Sequence, residues 1–342
     1  MRNRYTGLDR LVRALHQSSQ ALAGSMVLIF LSQSAFAFGP PSSAPKKEAS
    51  PQLVWLDTDI GDDIDDAFAL GLILRSPELK MLGISTAFRD TEARARLVDR
   101  FLAATGNSSI PVTAGVHTKV DEQMSQRAYA EQSPARTHAD GVAALLTAIR
   151  QHPGQITLIA IGPLFNVGAS IDRDLATFKK LKRVVLMGGS IDRGYDGAKG
   201  ERRPADAEWN ILNDPRGAAK LFASGVPIFV MPLDSTQVHL ENVDRTALFN
   251  ARNSLTTQID LLYREWSENS PSHAIRPTLF DPVAAAYTFR PDLCPMEPMR
   301  IEVDAKGFTR KVPGAANAQV CLKSNEAAFL KLLEERLKQS GK

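Results

Sequence analysis

Cysteine is nearly absent from this chain. Cys294 and Cys321 are the only two among 342 residues. That is too few for the dense disulfide framework of a small secreted scaffold, and without a Cys-x-x-Cys spacing a structural zinc site is not expected. A surplus of charge is missing as well. Lys and Arg total 41 and Asp and Glu 38; four of those Arg and one Asp fall in residues 1–37, which leaves 37 of each sign in the rest. A formally neutral body offers no electrostatic footprint for nucleic acid or for a polybasic membrane contact. Long apolar runs are lacking too. The most apolar stretch, residues 21–31, falls short of the ~20 residues that a helix needs to cross a bilayer. No internal repeat is visible, and low complexity is confined to a stretch rich in Pro, Ser, Ala and Lys over residues 38–51.

What is present begins with a leader pattern. Arg2, Arg4, Arg10 and Arg13 precede the apolar stretch, and Ala35-Phe36-Ala37 follows it as a small-x-small cleavage site. This is the region order of a secretory signal. Residues 1–37 are therefore expected to be a signal peptide, residues 38–51 a linker and residues 52–342 one folded domain, exported to the periplasm or secreted. An uncleaved anchor is the rival reading of the same segment; cleavage leaves no stable membrane span. Export would place Cys294 and Cys321 in an oxidising compartment, where they can pair. Roughly 300 residues suffice for one large core.

Within the domain, unbroken apolar runs alternate with helical patterns. Strands are predicted at 53–56, 81–85, 110–114, 156–161, 184–187 and 226–233, and helices at 65–75, 91–105 and 141–151. Continuous apolar strands between helices imply an α/β fold, with an open, mostly parallel but mixed central sheet covered by helices on both faces, Rossmann-like. The notable polar residues follow the strand ends, where open α/β sheets bind ligands. Residues 238–279 read as helical. A strand pair at 299–303 and 319–322 precedes an amphipathic helix at 325–338.

The densest chemistry lies in LDTDIGDDIDDAFAL, residues 56–70. Asp57, Asp59, Asp62, Asp63, Asp65 and Asp66 fall within ten residues, between a buried-strand pattern and a helix pattern. Like charges so close repel one another, and a hard divalent cation with oxygen ligands is the usual relief. A solvated acidic turn is the alternative. Gly61 and the flanking apolar runs favour a strand–loop–helix junction.

Further motifs recur in order: Ile161-Gly162-Pro163-Leu164 with Asn166, Val184-Val185-Leu186-Met187-Gly188-Gly189, Ala207-Glu208-Trp209-Asn210-Ile211 with Asp214-Pro215, and Asp281-Pro282. With Asp57-Thr58-Asp59-Ile60-Gly61 and Asp65-Asp66-Ala67, this set resembles the nucleoside hydrolase family, the inosine–uridine-preferring N-ribohydrolases, from about residue 53 to the C-terminus. The resemblance implies cleavage of a ribonucleoside to ribose and free base. It implies a Ca2+ ion held by Asp59, Asp66, Asp281 and the main-chain carbonyl of Ile161, and a Ca2+-bound water that Asp65 deprotonates. Three carboxylates and a carbonyl suit such an ion, and clustered carboxylates suit an oxocarbenium-like transition state. Glu208 and Asn210 match ribose-binding positions, and Met187 matches a residue lining the sugar pocket. Two extra residues after Gly61 keep Asp63 as a second candidate for the base. Family members are often dimers or tetramers, although no interface is legible here.

Some positions read as structural. Asp57 supports the loop through hydrogen bonds, Asp62 is a solvated acid at a helix start, Asn166 opens a helix, and Asp214-Pro215 starts another. Three positions depart from the family pattern. Phe280 stands where many members carry a proton-donating His. Asp90 stands for a ribose-contacting Asn, and an ionised carboxylate cannot donate. The His-Gly pair appears only as His138-Ala139-Asp140-Gly141. Other sources of the leaving-group proton are His273, Tyr263, His239 and Arg276, with His273 the best placed in sequence; Trp266 or Tyr263 can stack on a base. Two rival functions remain. A haloacid-dehalogenase-like phosphatase would use Asp57 as nucleophile. A non-catalytic, exported, Ca2+-dependent nucleoside or ribose binder would account for Phe280.

Overall fold

In the computed structural model, residues 50–121, 124–197, 200–269 and 275–339 are described. The leader, most of the linker and His273 lie outside them. Ten strands form one sheet: β1 (Gln52–Thr58), β2 (Leu79–Thr86), β3 (Val112–Ala114), β4 (Ala139–Asp140), β5 (Thr157–Ala160), β6 (Arg183–Met187), β7 (Ile228–Met231), β8 (Met296–Val303), β9 (Thr309–Val312) and β10 (Ala318–Cys321). Their spatial order is β4-β3-β2-β1-β5-β6-β7-β10-β8-β9. Pairing is parallel from β4 through β7 to β10, and antiparallel where β10 meets β8 and β8 meets β9. The mixed, mainly parallel α/β architecture expected from the sequence is present.

The reason lies in the strand composition. From Val54 onward β1 is buried at every position, and β5 is buried along its whole length. Strands covered on both faces are near-continuously apolar; the buried polar exceptions are Asp57 and Thr58 at the end of β1 and Thr157 at the start of β5. One core cluster holds Phe68, Leu70, Phe101 and Phe329, and a second holds Leu158, Phe178, Val184 and Leu221. The region expected to be helical over 238–279 holds two helices, Asn242–Phe249 and Ser254–Asn269, separated by a turn. Strand β9, with Arg310 and Lys311 at its centre, and the two-residue β4 escaped the sequence reading because neither offers an apolar run. A disulfide joins Cys294 to Cys321, with Cα atoms 5.8 Å apart. No described helix is long and apolar enough to cross a membrane.

Candidate active site

Two apolar helices build the floor of the site. Helix Asp65–Leu74 is buried from Asp65 to Ile73, and helix Phe280–Phe289 from Asp281 to Phe289. Helices that are apolar on every side belong in a core, and these two pack against each other. Asp65 and Asp66 lie in the first turn of one and Asp281 in the first turn of the other. The packing therefore brings acids 216 residues apart in sequence together: the main-chain N–H of Asp281 donates to Asp65 Oδ2 at 3.1 Å. Ligating atoms of Asp65, Asp66 and Asp281 all lie within 4.8 Å of one another, and all three residues are buried.

The end of β1 supplies the rest of the acids. Gly61 adopts φ +126°, which lets the chain turn from β1 into the loop before the helix. Thr58 Oγ1 donates to Asp66 Oδ1 and accepts from the Ile60 N–H at 3.1 Å. Gly162 passes close behind Asp59: a Cβ there would lie 2.8 Å from the Asp59 nitrogen. Arg94, fully buried on helix Thr91–Ala104, donates to the carbonyls of Asp59, Ile60 and Phe88 and to Asp62 Oδ2 at 2.6 Å. It holds the loop in shape and sets one positive charge behind it.

Across the cleft, Glu208 caps helix Trp209–Asn213. Its carboxylate accepts from the N–H groups of Asn210 and Gly189, both at 2.9 Å, and of Ile211 at 3.2 Å. Asn210 Nδ2 donates to the carbonyls of Ile161 (3.2 Å) and Met187 (3.1 Å), tying the ends of β5 and β6. A cavity of about 540 Å³ runs between these walls. Asp59, Asp63, Asp65, Asp66 and Asp281 line it, as do Ile161, Met187, Glu208 and Asn210.

Burial governs the electrostatics. It pushes Asp59 and Glu208 up to about 7 and Asp63 up to about 6. Asp65, Asp66 and Asp281 are raised well above the carboxylate range, first by burial and then by mutual repulsion. Arg94 opposes the shift at Asp59 and Asp66. An all-oxygen group of buried carboxylates is the donor set of a hard divalent cation, whose charge would let them ionise together. Neither His nor Cys lines the cavity among the described residues, so the set does not suit a zinc-type site.

Several expected residues are placed elsewhere. Asp90 caps helix Thr91–Ala104, accepting from the Ala93 N–H at 3.1 Å, and pairs with Arg127 at 2.7 Å. It does not line the cavity; its neighbour Arg89 does. The left-handed turn at Phe88 and Arg89 shifts which side chain faces the cleft. Asp62 is not simply solvated, because Arg94 and Arg89 both pair with it. Asp57 lies behind the cavity, accepting from Ser85 Oγ (2.5 Å) and Asn166 Nδ2 (2.7 Å). His138 is held between Glu92 (2.6 Å) and Asp99 (2.9 Å). His239 meets Thr278, Tyr263 meets the Ile275 carbonyl, and Arg276 meets Glu241, none of them lining the cavity. Trp266 and Phe280 do line it. Sequence reasoning missed Arg89 and Tyr195, which line the cavity, and the buried Arg94; an arginine inside an amphipathic helix pattern, as Arg94 is, carries no sign that it will be buried.

The inosine-uridine preferring nucleoside hydrolase family model matches residues 54–331. The chain belongs to this family. Its relatives include uridine nucleosidase 1 of Arabidopsis thaliana, 30% identical over 272 residues that make up 74% of this chain and 78% of the relative. The pyrimidine-specific ribonucleoside hydrolase RihA of Escherichia coli O7:K1 is 28% identical, covering 83% of this chain and 98% of its own. Among solved structures, a plant nucleoside hydrolase, PpNRh1, superimposes with a TM-score of 0.72 at 25% identity, over 84% of this chain and 99% of that one. The family is one of metal-dependent N-glycosidases acting on ribonucleosides, so the phosphatase reading falls away. Asp57, the nucleophile that reading required, is sealed behind the cavity floor.

Proposed function

We propose that the protein is an exported, Ca2+-dependent ribonucleoside hydrolase that scavenges nucleosides outside the cytoplasm. The observation that carries the metal-site reading is the buried group of Asp65, Asp66 and Asp281, at the floor of a cavity of nucleoside-binding size. Asp59, Asp66, Asp281 and the Ile161 carbonyl hold the cation, whose crowded oxygen ligands favour calcium. When bound, the ion lowers the pKa of a coordinated water and orients the ribose. Asp65 takes the proton of the attacking water, with Asp63 beside it as a reserve. Glu208 accepts from ribose hydroxyls, Asn210 lies beside it, and Met187 packs on the sugar. The remaining carboxylates stabilise the positive charge that develops on the ribose ring.

The geometry also favours a second assignment of the same residues. Asp65, not Asp59, stands in the tightest carboxylate group. In that arrangement Asp65 is a ligand and Asp59 takes the proton. Metal content separates the two, since the ligand's Asn variant loses cation and the base's Asn variant keeps it.

The test is release of reducing sugar from a nucleoside panel headed by uridine, using residues 38–342 with and without a calcium chelator. Chelator-sensitive release is expected. A folded, calcium-loaded protein that binds nucleosides and releases nothing over hours would establish the non-catalytic binder instead.

A further inference from the structure

Seven carboxylates line the cavity, and among the described residues a single cation joins them, Arg89. Its position is built. Phe88 and Arg89 adopt φ of 68° and 54°, left-handed values that residues other than glycine rarely take and that concentrate at functional sites. The Arg89 N–H donates to Thr118 Oγ1 at 2.7 Å, and its carbonyl accepts from the Thr118 N–H at 3.3 Å. The guanidinium carbon lies 4.9 Å from the Phe88 ring centre and 5.9 Å from that of Trp209. Asp62 and Asp121 pair with it at 3.6 and 3.4 Å. Its side chain is only 10% exposed, whereas Trp209, on the same cavity wall, is 42% exposed. A fixed cation beside an open indole face is the chemistry that receives a flat, electron-rich ring.

We propose that Arg89 is the residue that stabilises the leaving base, and that it selects bases carrying a carbonyl rather than an amine at pyrimidine C4 or purine C6. The proposal rests on the hydrolase reading above. In the reaction the C1′–N bond breaks and its electron pair passes to the base. The water oxygen bonds C1′, and the water's proton goes to the catalytic carboxylate. The base departs as an anion and takes a proton from solvent afterwards. Phe280 has no proton to give, and Arg89 cannot surrender its own, so its contribution is electrostatic, a fixed charge at the point where negative charge develops. Its donors match the oxygens of uracil or hypoxanthine. The exocyclic amine of cytosine or adenine would set donor against donor. A 5′-phosphate is disfavoured as the partner of Arg89, because it would carry added negative charge among seven carboxylates.

The calcium-loaded protein is assayed on uridine, cytidine, uridine 5′-monophosphate and p-nitrophenyl riboside, whose phenolate leaves without assistance. Arg89→Gln is expected to lower kcat/KM on uridine about a hundredfold, to leave the p-nitrophenyl substrate within about threefold, and to erase a preference for uridine over cytidine. Arg89→Lys, which keeps the charge, should recover part of the loss. Thermal melts report whether each variant is folded, and if Arg89→Gln is not, the same selectivity is read from Arg89→Lys. An equal loss on every substrate would make Arg89 merely structural, and no loss would remove its role. A selective loss on the monophosphate would make it a phosphate handle; each of these three results overturns the proposal. If the unaltered, folded, metal-loaded protein cleaves none of the four, the hydrolase reading has failed rather than the assignment of Arg89.

Discussion

Removing the cation should make the fold lose stability as pH rises. Asp59 and Glu208 are both buried, and burial raises them from 3.8 and 4.5 to about 7. A carboxyl group with a raised folded pKa favours the folded state at acid pH. That contribution fades once the unfolded chain begins to ionise above about pH 4, and is lost as pH passes through 7. At ~1.36 kcal/mol per pKa unit, these two groups together cost the metal-free fold about 5 kcal/mol between pH 5 and pH 8. Asp57 and Asp63, raised to about 6, act in the same direction. For a domain of this size, 5 kcal/mol is roughly 10 °C of melting temperature. Melts at pH 5, 6, 7 and 8 in a chelator should show that decline, and the same series with calcium should be nearly flat, because the ion favours the ionised carboxylates. A metal-free midpoint that stays level or rises over this window would refute the electrostatic account of the site.

Three further outcomes follow from the geometry. Asp66→Ala should abolish stoichiometric calcium while Asp65→Asn keeps it and loses turnover, read by metal analysis and sugar release; the reverse pattern at Asp65 and Asp59 identifies Asp59 as the base. Gly162→Ala places a Cβ against the Asp59 main chain, and displacing that carboxylate should reduce kcat/KM about a hundredfold. Cys294→Ser opens a bridge between residues 27 apart and should lower unfolding free energy by about 3 kcal/mol in denaturant titration, with little change in activity.

Much of this protein was legible before any coordinate. The apolar runs from Leu53 to Leu56 and from Ile156 to Ile161, the second interrupted only by Thr157, announced strands covered on both faces, because a strand with one face in water alternates apolar and polar residues. The acidic run after the first of them announced a concentration of carboxylates. Asp214-Pro215 announced a helix start, and Asp214 indeed accepts from the Gly217 N–H at 2.9 Å ahead of the proline. Each of these is a local rule, written in neighbouring residues.

What the sequence left open depended on long-range packing. Six aspartates in one loop look alike in a string; burial and partners separate them. Asp57 turns back to Ser85 and Asn166, Asp62 faces two arginines, and Asp65 and Asp66 meet Asp281 across the packing of two apolar helices. Asp90 was expected at the substrate, yet two left-handed residues turned Arg89 inward and left Asp90 as a cap. The sequence by itself determined the layer architecture and the presence of an acidic centre, since hydrophobic period and charge density are local quantities. Only the tertiary structure decided which carboxylates converge and which cation faces them, because those contacts join positions far apart in the chain and depend on backbone turns that no residue type announces.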